Sequence, residues 1–196
     1  MRTRERILEA ARAAFSRYGY DGTTVRTVAA GAGVAPNLIT RYFGGKSGLF
    51  REAATAGLEV GSTLPGPPGR LGERISAKVV GRWEAGVVED PLLMMLRSAG
   101  TSDEAARELG ELLQREAARP LVAHLVSDLG CTPADAEGRA AAIGALIMGV
   151  VTTRYVMRSG PLADADPQSL RGWLSDRIQL LADTPAPVLR RHPRRS

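Results

Sequence analysis

The residues best equipped for chemistry lie in one short window. Asn37 and Arg41 stand four apart, Lys46 follows five residues later, and hydroxyls surround them at Thr24, Thr40 and Tyr42. An arginine can donate two parallel hydrogen bonds to guanine and an asparagine can pair with adenine, while lysine, hydroxyls and exposed helix N-termini suit phosphate oxygens. This donor-rich set fits a polyanion better than it fits bond making. Elsewhere the chain has two histidines, one cysteine, and no Gly-rich phosphate loop, H-E-x-x-H or paired-carboxylate motif. No recognisable catalytic set is assembled, so neither an enzyme nor a metal or cofactor site is expected. With Cys131 alone there can be no intrachain disulfide and no cysteine-based zinc site, which fits a reducing cytoplasm.

The charge of +5 is unevenly spread. Residues 1–51 carry nine Lys/Arg against three Asp/Glu, residues 52–183 are net −5, and the segment from Thr184 adds four arginines. The basic character sits at the two ends, as expected if the first fifty residues face a polyanion and the middle does not. The longest apolar run, Ala140 to Val151, is 12 residues. That is short of the roughly 18 to 20 needed to cross a bilayer, so no membrane span is expected. The opening MRTRERILEAARAAF is charged and helical in period and does not read as a secretion signal.

Holding these donors in place requires helices. Apolar positions recur at three and four, short loops interrupt them, and nothing reads as a strand, so the class is all-α with about nine helices. The first runs from Thr3 to Tyr18 with Ile7, Leu8, Ala11, Phe15 and Tyr18 on one stripe, and Gly19 stops it. A short helix after Thr23 or Thr24 turns Val25, Val28 and Ala29 inward, and Gly31, Gly33 and Val34 make a tight turn. A second short helix begins near Pro36. Its Ile39 and Phe43 point to the core, leaving Asn37, Leu38, Thr40 and Arg41 outward. A fourth helix starts near Lys46 and uses Leu49, Phe50, Ala53 and Leu58.

Pro65, Gly66, Pro67, Pro68 and Gly69 then break the pattern. Beyond them Asp90-Pro91, Thr132-Pro133 and Asp166-Pro167 each place a capping oxygen before a first-turn proline, and Thr101 with Glu104 reads as a capping box. The expected helices are 71–88, 91–99, 102–128, 133–158 and 167–182. The organisation is a helix-turn-helix domain at 1–50, a helical regulatory domain at 51–183 and a disordered basic tail at 184–196.

Small residues at the turn, an apolar anchor and an exposed second helix are what a helix-turn-helix needs to enter the major groove. The stretch GYDGTTVRTVAAGAGVAPNLITRYFGGKSGLF resembles the DNA-binding domain of the TetR family of bacterial repressors. Thr24, Ala29, Ala32, Gly33, Val34, Tyr42, Phe43, Lys46 and Leu49 fall at its pattern positions, and the resemblance spans about Ile7 to Phe50. It implies that Pro36, Asn37, Leu38 and Arg41 meet base edges. It also implies that Thr24, Arg26, Thr40, Tyr42 and Lys46 meet phosphates. Gly44-Gly45 stands where the family usually has a Pro-Ser-like pair, and Thr40 where it often has Tyr.

The segment AAAIGALIMGVVTTRYVM is nearly apolar all round, so it is buried either in one subunit or in a core shared by two. The family's last two long helices form a four-helix dimer interface. By that resemblance Ile143, Ile147, Val151, Leu170, Trp173, Leu174, Ile178 and Leu181 are dimer-interface residues of a homodimer. A ligand cavity is likewise implied, with Trp83, Met94, Met95, Arg97, His124, Met148, Thr152 and Tyr155 as its wall and a small, mainly apolar effector as occupant. Lone His124 and helically spaced methionines also fit a plain core. The expected partners are double-stranded DNA, a second copy of the chain and the effector, in the cytoplasm. The other reading is a DNA-binding dimer of the same architecture without a small-molecule inducer.

Overall fold

The computed structural model describes residues 2–55, 58, 60–84 and 90–186; these are helical, with no strand among them. The helices are α1 (Thr3–Gly22), α2 (Val25–Ala32), α3 (Pro36–Phe43), α4 (Lys46–Thr55), α5 (Leu71–Glu84), α6 (Pro91–Ser98), α7 (Asp103–Leu113), α8 (Arg119–Leu129), α9 (Pro133–Val151), α10 (Pro161–Asp164) and α11 (Pro167–Asp183). A π-helical segment, Gln114–Ala118, joins α7 to α8, and another, Thr152–Met157, extends α9. The expected helices 102–128 and 133–158 are thus continuous, each widened locally. Pro120 gives the first bulge a cause. It has no N–H for the carbonyl of Glu116, and the Val60 N–H takes that acceptor instead at 3.2 Å. Helix α10 and the short 3-10 turns at Gly61–Thr63 and Pro68–Arg70 are additions to the expected set. The end of the expected helix 71–88 and the tail from 187 lie outside the described residues.

Capping chemistry fixes the helix starts. Asp90 accepts from the Leu92 N–H at 2.8 Å, Thr132 from Asp135 at 3.3 Å, and Asp166 from Gln168 and Ser169 at 3.0 Å. The expected Thr101 box is replaced by Ser102, whose hydroxyl accepts from the Ala105 N–H at 3.2 Å, because Thr101 is held in the turn that closes α6 by its N–H to the Ser98 carbonyl. Helix α1 runs past Gly19, which kinks it at φ 70°. There the buried Thr23 hydroxyl donates to the carbonyls of Gly19 and Ala14.

Apolar side chains gather in two clusters. One unites α1 to α4 with α6, α7, Trp83, Val151 and Tyr155; the other joins α5, α8, α9 and α11. In the first, Phe15, Tyr20 and Phe50 meet edge to face at 5.2 and 5.5 Å, contacts worth about 0.5 to 1.5 kcal/mol each beyond burial. In the second, α5 and α11 lie so close at Gly72 that a Cβ there would sit 2.1 Å from the Ser175 carbonyl oxygen. The Gly72 N–H donates to Gln179 across the same contact. Over Pro133–Met157 the chain is long and apolar enough to cross a membrane by length and composition, although its longest unbroken apolar run is shorter. Only 28% of its most apolar stretch is buried within the subunit.

Candidate nucleic-acid interface and apolar cavity

The turn between α2 and α3 is built by Gly33. Helix α2 ends with the Val34 N–H on the Ala29 carbonyl at 3.0 Å and the Gly33 N–H on Ala30 at 3.1 Å, the paired bonds of a Schellman cap. The cap needs a left-handed residue, and Gly33 sits at φ 61°, ψ 43°. Arg6 of α1 reaches over to the carbonyls of Ala32 and Gly33, tying the turn to the first helix. At the other end of α2, Thr24 accepts from the Thr27 N–H at 3.0 Å.

Helix α3 buries Ile39 and Phe43 and leaves Pro36, Asn37, Thr40, Arg41 and Tyr42 exposed, while Leu38 is half-buried. The side chains of Asn37 and Arg41 make no hydrogen bond or ion pair with any described residue. Ala35 offers no side-chain cap, Pro36 has no N–H and the Leu38 N–H donates to the Ala35 carbonyl at 3.0 Å, which leaves the Asn37 amide open to an external acceptor. Arg26 is exposed on α2. Lys46 differs from the rest. It is half-buried, its ammonium lies 4.3 Å over the Tyr20 ring, and it reaches the Asp21 carbonyl at 3.5 Å. The face therefore presents unpaired donors around one exposed helix, with Lys46 anchored at its edge.

Tyr20 also connects this unit to the rest of the chain. Its hydroxyl meets the Ser47 oxygen at 2.9 Å and donates to Glu104 of α7 at 3.0 Å. Burial, helped by Glu104, pushes the hydroxyl from 10.0 up to about 12. Ser102 donates to Asp21 at 3.2 Å, and buried Glu108 of α7 lies 3.8 Å from Arg51 of α4.

A cavity of about 280 Å³ opens between α5, the α7–α8 junction and α9. Of the residues expected around a ligand, Trp83 and Met148 line it. Met94, Met95, Arg97, His124, Thr152 and Tyr155 stand outside its wall, each for a local reason. Met95 is packed in the first apolar cluster, and the Met94 sulfur accepts from Arg97 at 3.3 Å. Arg97 also donates to the Tyr155 carbonyl at 3.1 Å, and Thr152 opens the π segment. The Tyr155 hydroxyl donates to Glu84 at 2.7 Å, and burial with that bond pushes it up to about 12. His124 is buried with Nδ1 2.5 Å from Asp128. Sequence reasoning missed Lys78 and Gln114 in the wall. The available signal was Lys78 at helical spacing from Ile75 and Arg82.

Of the residues expected between subunits, Ile143, Val151, Leu170, Leu174 and Ile178 are at most 2% exposed and face the subunit's own interior. Ile147 and Leu181 are half-buried, and Trp173 is 41% exposed. A lone α11 has two apolar faces. The one built on Leu170, Leu174 and Ile178 is taken by α5 and its neighbours, and the outward one carries Trp173 and Leu180.

Comparison with known proteins agrees with this architecture. Residues 7–53 match the profile described as bacterial regulatory proteins, tetR family, and residues 69–181 match the tetracyclin repressor-like C-terminal domain. No protein of curated function matches the chain. Among solved structures, a TetR-family regulator from Streptomyces coelicolor A3 is 27% identical, with 93% of this chain and 95% of that one covered and a TM-score of 0.70. A TetR-family transcriptional regulator from Rhodococcus sp. has the same fold at 17% identity, with 92% and 98% covered and a TM-score of 0.70. With the C-terminal profile alone spanning more than half of the sequence, the chain belongs to the TetR family of bacterial transcriptional regulators.

Proposed function

We propose that the protein is a repressor that binds a pseudo-palindromic operator as a homodimer and leaves it when a small, mainly apolar ligand enters the C-terminal cavity. The observation that carries this reading is α3, whose exposed Asn37 and Arg41 have no partner among the described residues. Asn37, Arg41, Pro36 and Leu38 are the base-facing set, and Thr24, Arg26, Thr40, Tyr42 and Lys46 the phosphate-facing set. A two-fold dimer spaces two such helices by about 34 to 36 Å, one turn of the duplex. A second copy is supported by the outward apolar face of α11, where Trp173 and Leu180 are exposed. The regulatory domain spans 51–183, with its cavity walled by α5 and α9.

Release follows if the ligand prefers a conformer in which the two α3 helices are wrongly spaced for the duplex. The cavity favours this reading over a dimer without an inducer. The test is selection of bound fragments from genomic DNA by the full-length protein, followed by displacement with a panel of apolar compounds. A selected palindrome that a cavity ligand releases supports the reading. Sequence-independent binding alone, or operator binding unaffected by any ligand that stabilises the protein, would overturn the repressor or the release step respectively.

A further inference from the structure

The polar groups at the cavity are unlike its apolar wall and unlike one another in how they are satisfied. Ile75, Lys78, Val79 and Arg82 follow one face of α5 into the cavity. Arg82 is already neutralised, holding Asp90 through Nε at 2.7 Å and Nη2 at 3.0 Å with both side chains about nine-tenths buried. Lys78 makes no hydrogen bond or ion pair with any described residue, and neither does the Gln114 carboxamide opposite. Trp83, also in the wall, has a buried indole N–H with no acceptor. Among the described residues, no aspartate or glutamate lines the space. Among the described residues the site is therefore rich in donors, and the Lys78 ammonium has no anion opposite it, the partner that a partly desolvated charge calls for.

We propose that this cavity takes a monovalent carboxylate carried on an apolar body, with the Lys78 ammonium as its ion-pair partner. The inference rests on reading the cavity as the effector site. A dianion such as a phosphate monoester would need a second free cation, and Arg82 is committed to Asp90. The rest of the described wall, including Leu58, Val60, Leu92, Leu121, Ile143 and Ile147, offers apolar contact. At about 280 Å³ the cavity stands at the small end of the range for ligand sites, which suits a medium-chain or small aryl carboxylate.

Octanoate, octan-1-ol and octylamine differ mainly in the charge of the head group, so calorimetric titration of the full-length protein with each separates charge from tail. Octanoate is expected to bind at least about tenfold more tightly than the alcohol, and the amine to bind most weakly. Lys78→Met should remove that tenfold for octanoate and leave octanol unchanged, while Lys78→Arg should retain octanoate. Retained octanol binding certifies the fold of the methionine variant, and Lys78→Gln serves if it fails to fold. Octanol binding as tightly as octanoate, an equal loss of both in the variants, or no heat from octanoate up to millimolar concentration would each overturn the assignment. Octanoate held through Lys78 without any effect on operator affinity would leave it standing and remove the release step instead.

Discussion

Arg41 and Lys46 differ in what each does when no DNA is present, and that difference decides how their removal will read. Arg41 is exposed and makes no contact within the described chain, so Arg41→Ala should leave the unfolding temperature unchanged. It should lower the discrimination between operator and random DNA by about 1 to 3 kcal/mol. Lys46→Ala should weaken both kinds of DNA and reduce the slope of binding against salt by about one, since a phosphate contact carries no sequence information. It should also lower thermal stability, because the ammonium rests on the Tyr20 ring. Fluorescence anisotropy at several salt concentrations beside a melting curve separates the effects, and normal operator affinity in both variants would mean the reader lies elsewhere. The exposure of Arg41 was legible from the spacing of Ile39 and Phe43. The anchoring of Lys46 was not, since Tyr20 lies 26 residues away in sequence and meets it only after the kink at Gly19. The two raised tyrosines give a pH prediction at the same scale. Both hold their proton more tightly folded than unfolded, so the stability they contribute is whole below about pH 10 and is lost as the pH climbs towards 12. Tyr20→Phe should flatten that alkaline loss in a pH series of denaturant melts; an unchanged slope would place the loss in other groups.

At the scale of elements, the start and stop signals were the most readable part of the sequence, because a cap is a local interaction. Asp90, Thr132 and Asp166 cap where expected, and Gly33 turns α2 into α3. An alanine at Gly33 would have to hold a left-handed backbone at a cost of roughly 1 to 2 kcal/mol, with its Cβ 3.2 Å from Arg6. Gly33→Ala should therefore lower stability by that amount and weaken operator binding, read by denaturant melts and DNA titration. Gly72 is a different case with a larger expected effect. Its Cβ would run into the backbone of α11, so Gly72→Ala should part α5 from α11 and cost more than Gly33→Ala. A Gly72→Ala protein as stable as the parent would contradict the close approach. Nothing local to Gly72 reveals this, because the clash is with Ser175, on a helix 103 residues further along. The cavity was hidden for the same reason: its wall is assembled from α5, the π segment after α7 and α9, and the π segment follows from a proline whose consequence is felt one turn earlier.

At the scale of the whole molecule, five of the eight side chains expected between subunits are covered by the subunit's own core. Hydrophobic spacing marks a face as buried without saying what buries it. In α11 the Leu170, Leu174 and Ile178 face is covered inside the subunit, and the large apolar groups left over are Trp173 and Leu180 at 41% and 55% exposure. An apolar helix extending over Pro133–Met157 with little of its surface covered stands beside them. If a two-fold axis passes through this face, each residue on it occurs twice, and one substitution places two charges in the contact. Trp173→Glu is then expected to convert a dimer into a monomer, because the carboxylates would lose their water without gaining a partner. Leu174 and Ile178 stay covered in the monomer, so its helical content should be retained. Light scattering after size exclusion reads the mass, and a melt repeated over a hundredfold range of concentration reads the linkage, since only an associating protein gains stability as it is concentrated. The monomer should keep its salt-dependent affinity for random DNA and lose most of its preference for the palindrome, because only one half-site is then engaged. A Trp173→Glu chain that remains dimeric and reads the operator normally would move the subunit contact off α11, and a parent protein whose melting point ignores concentration would remove the dimer altogether.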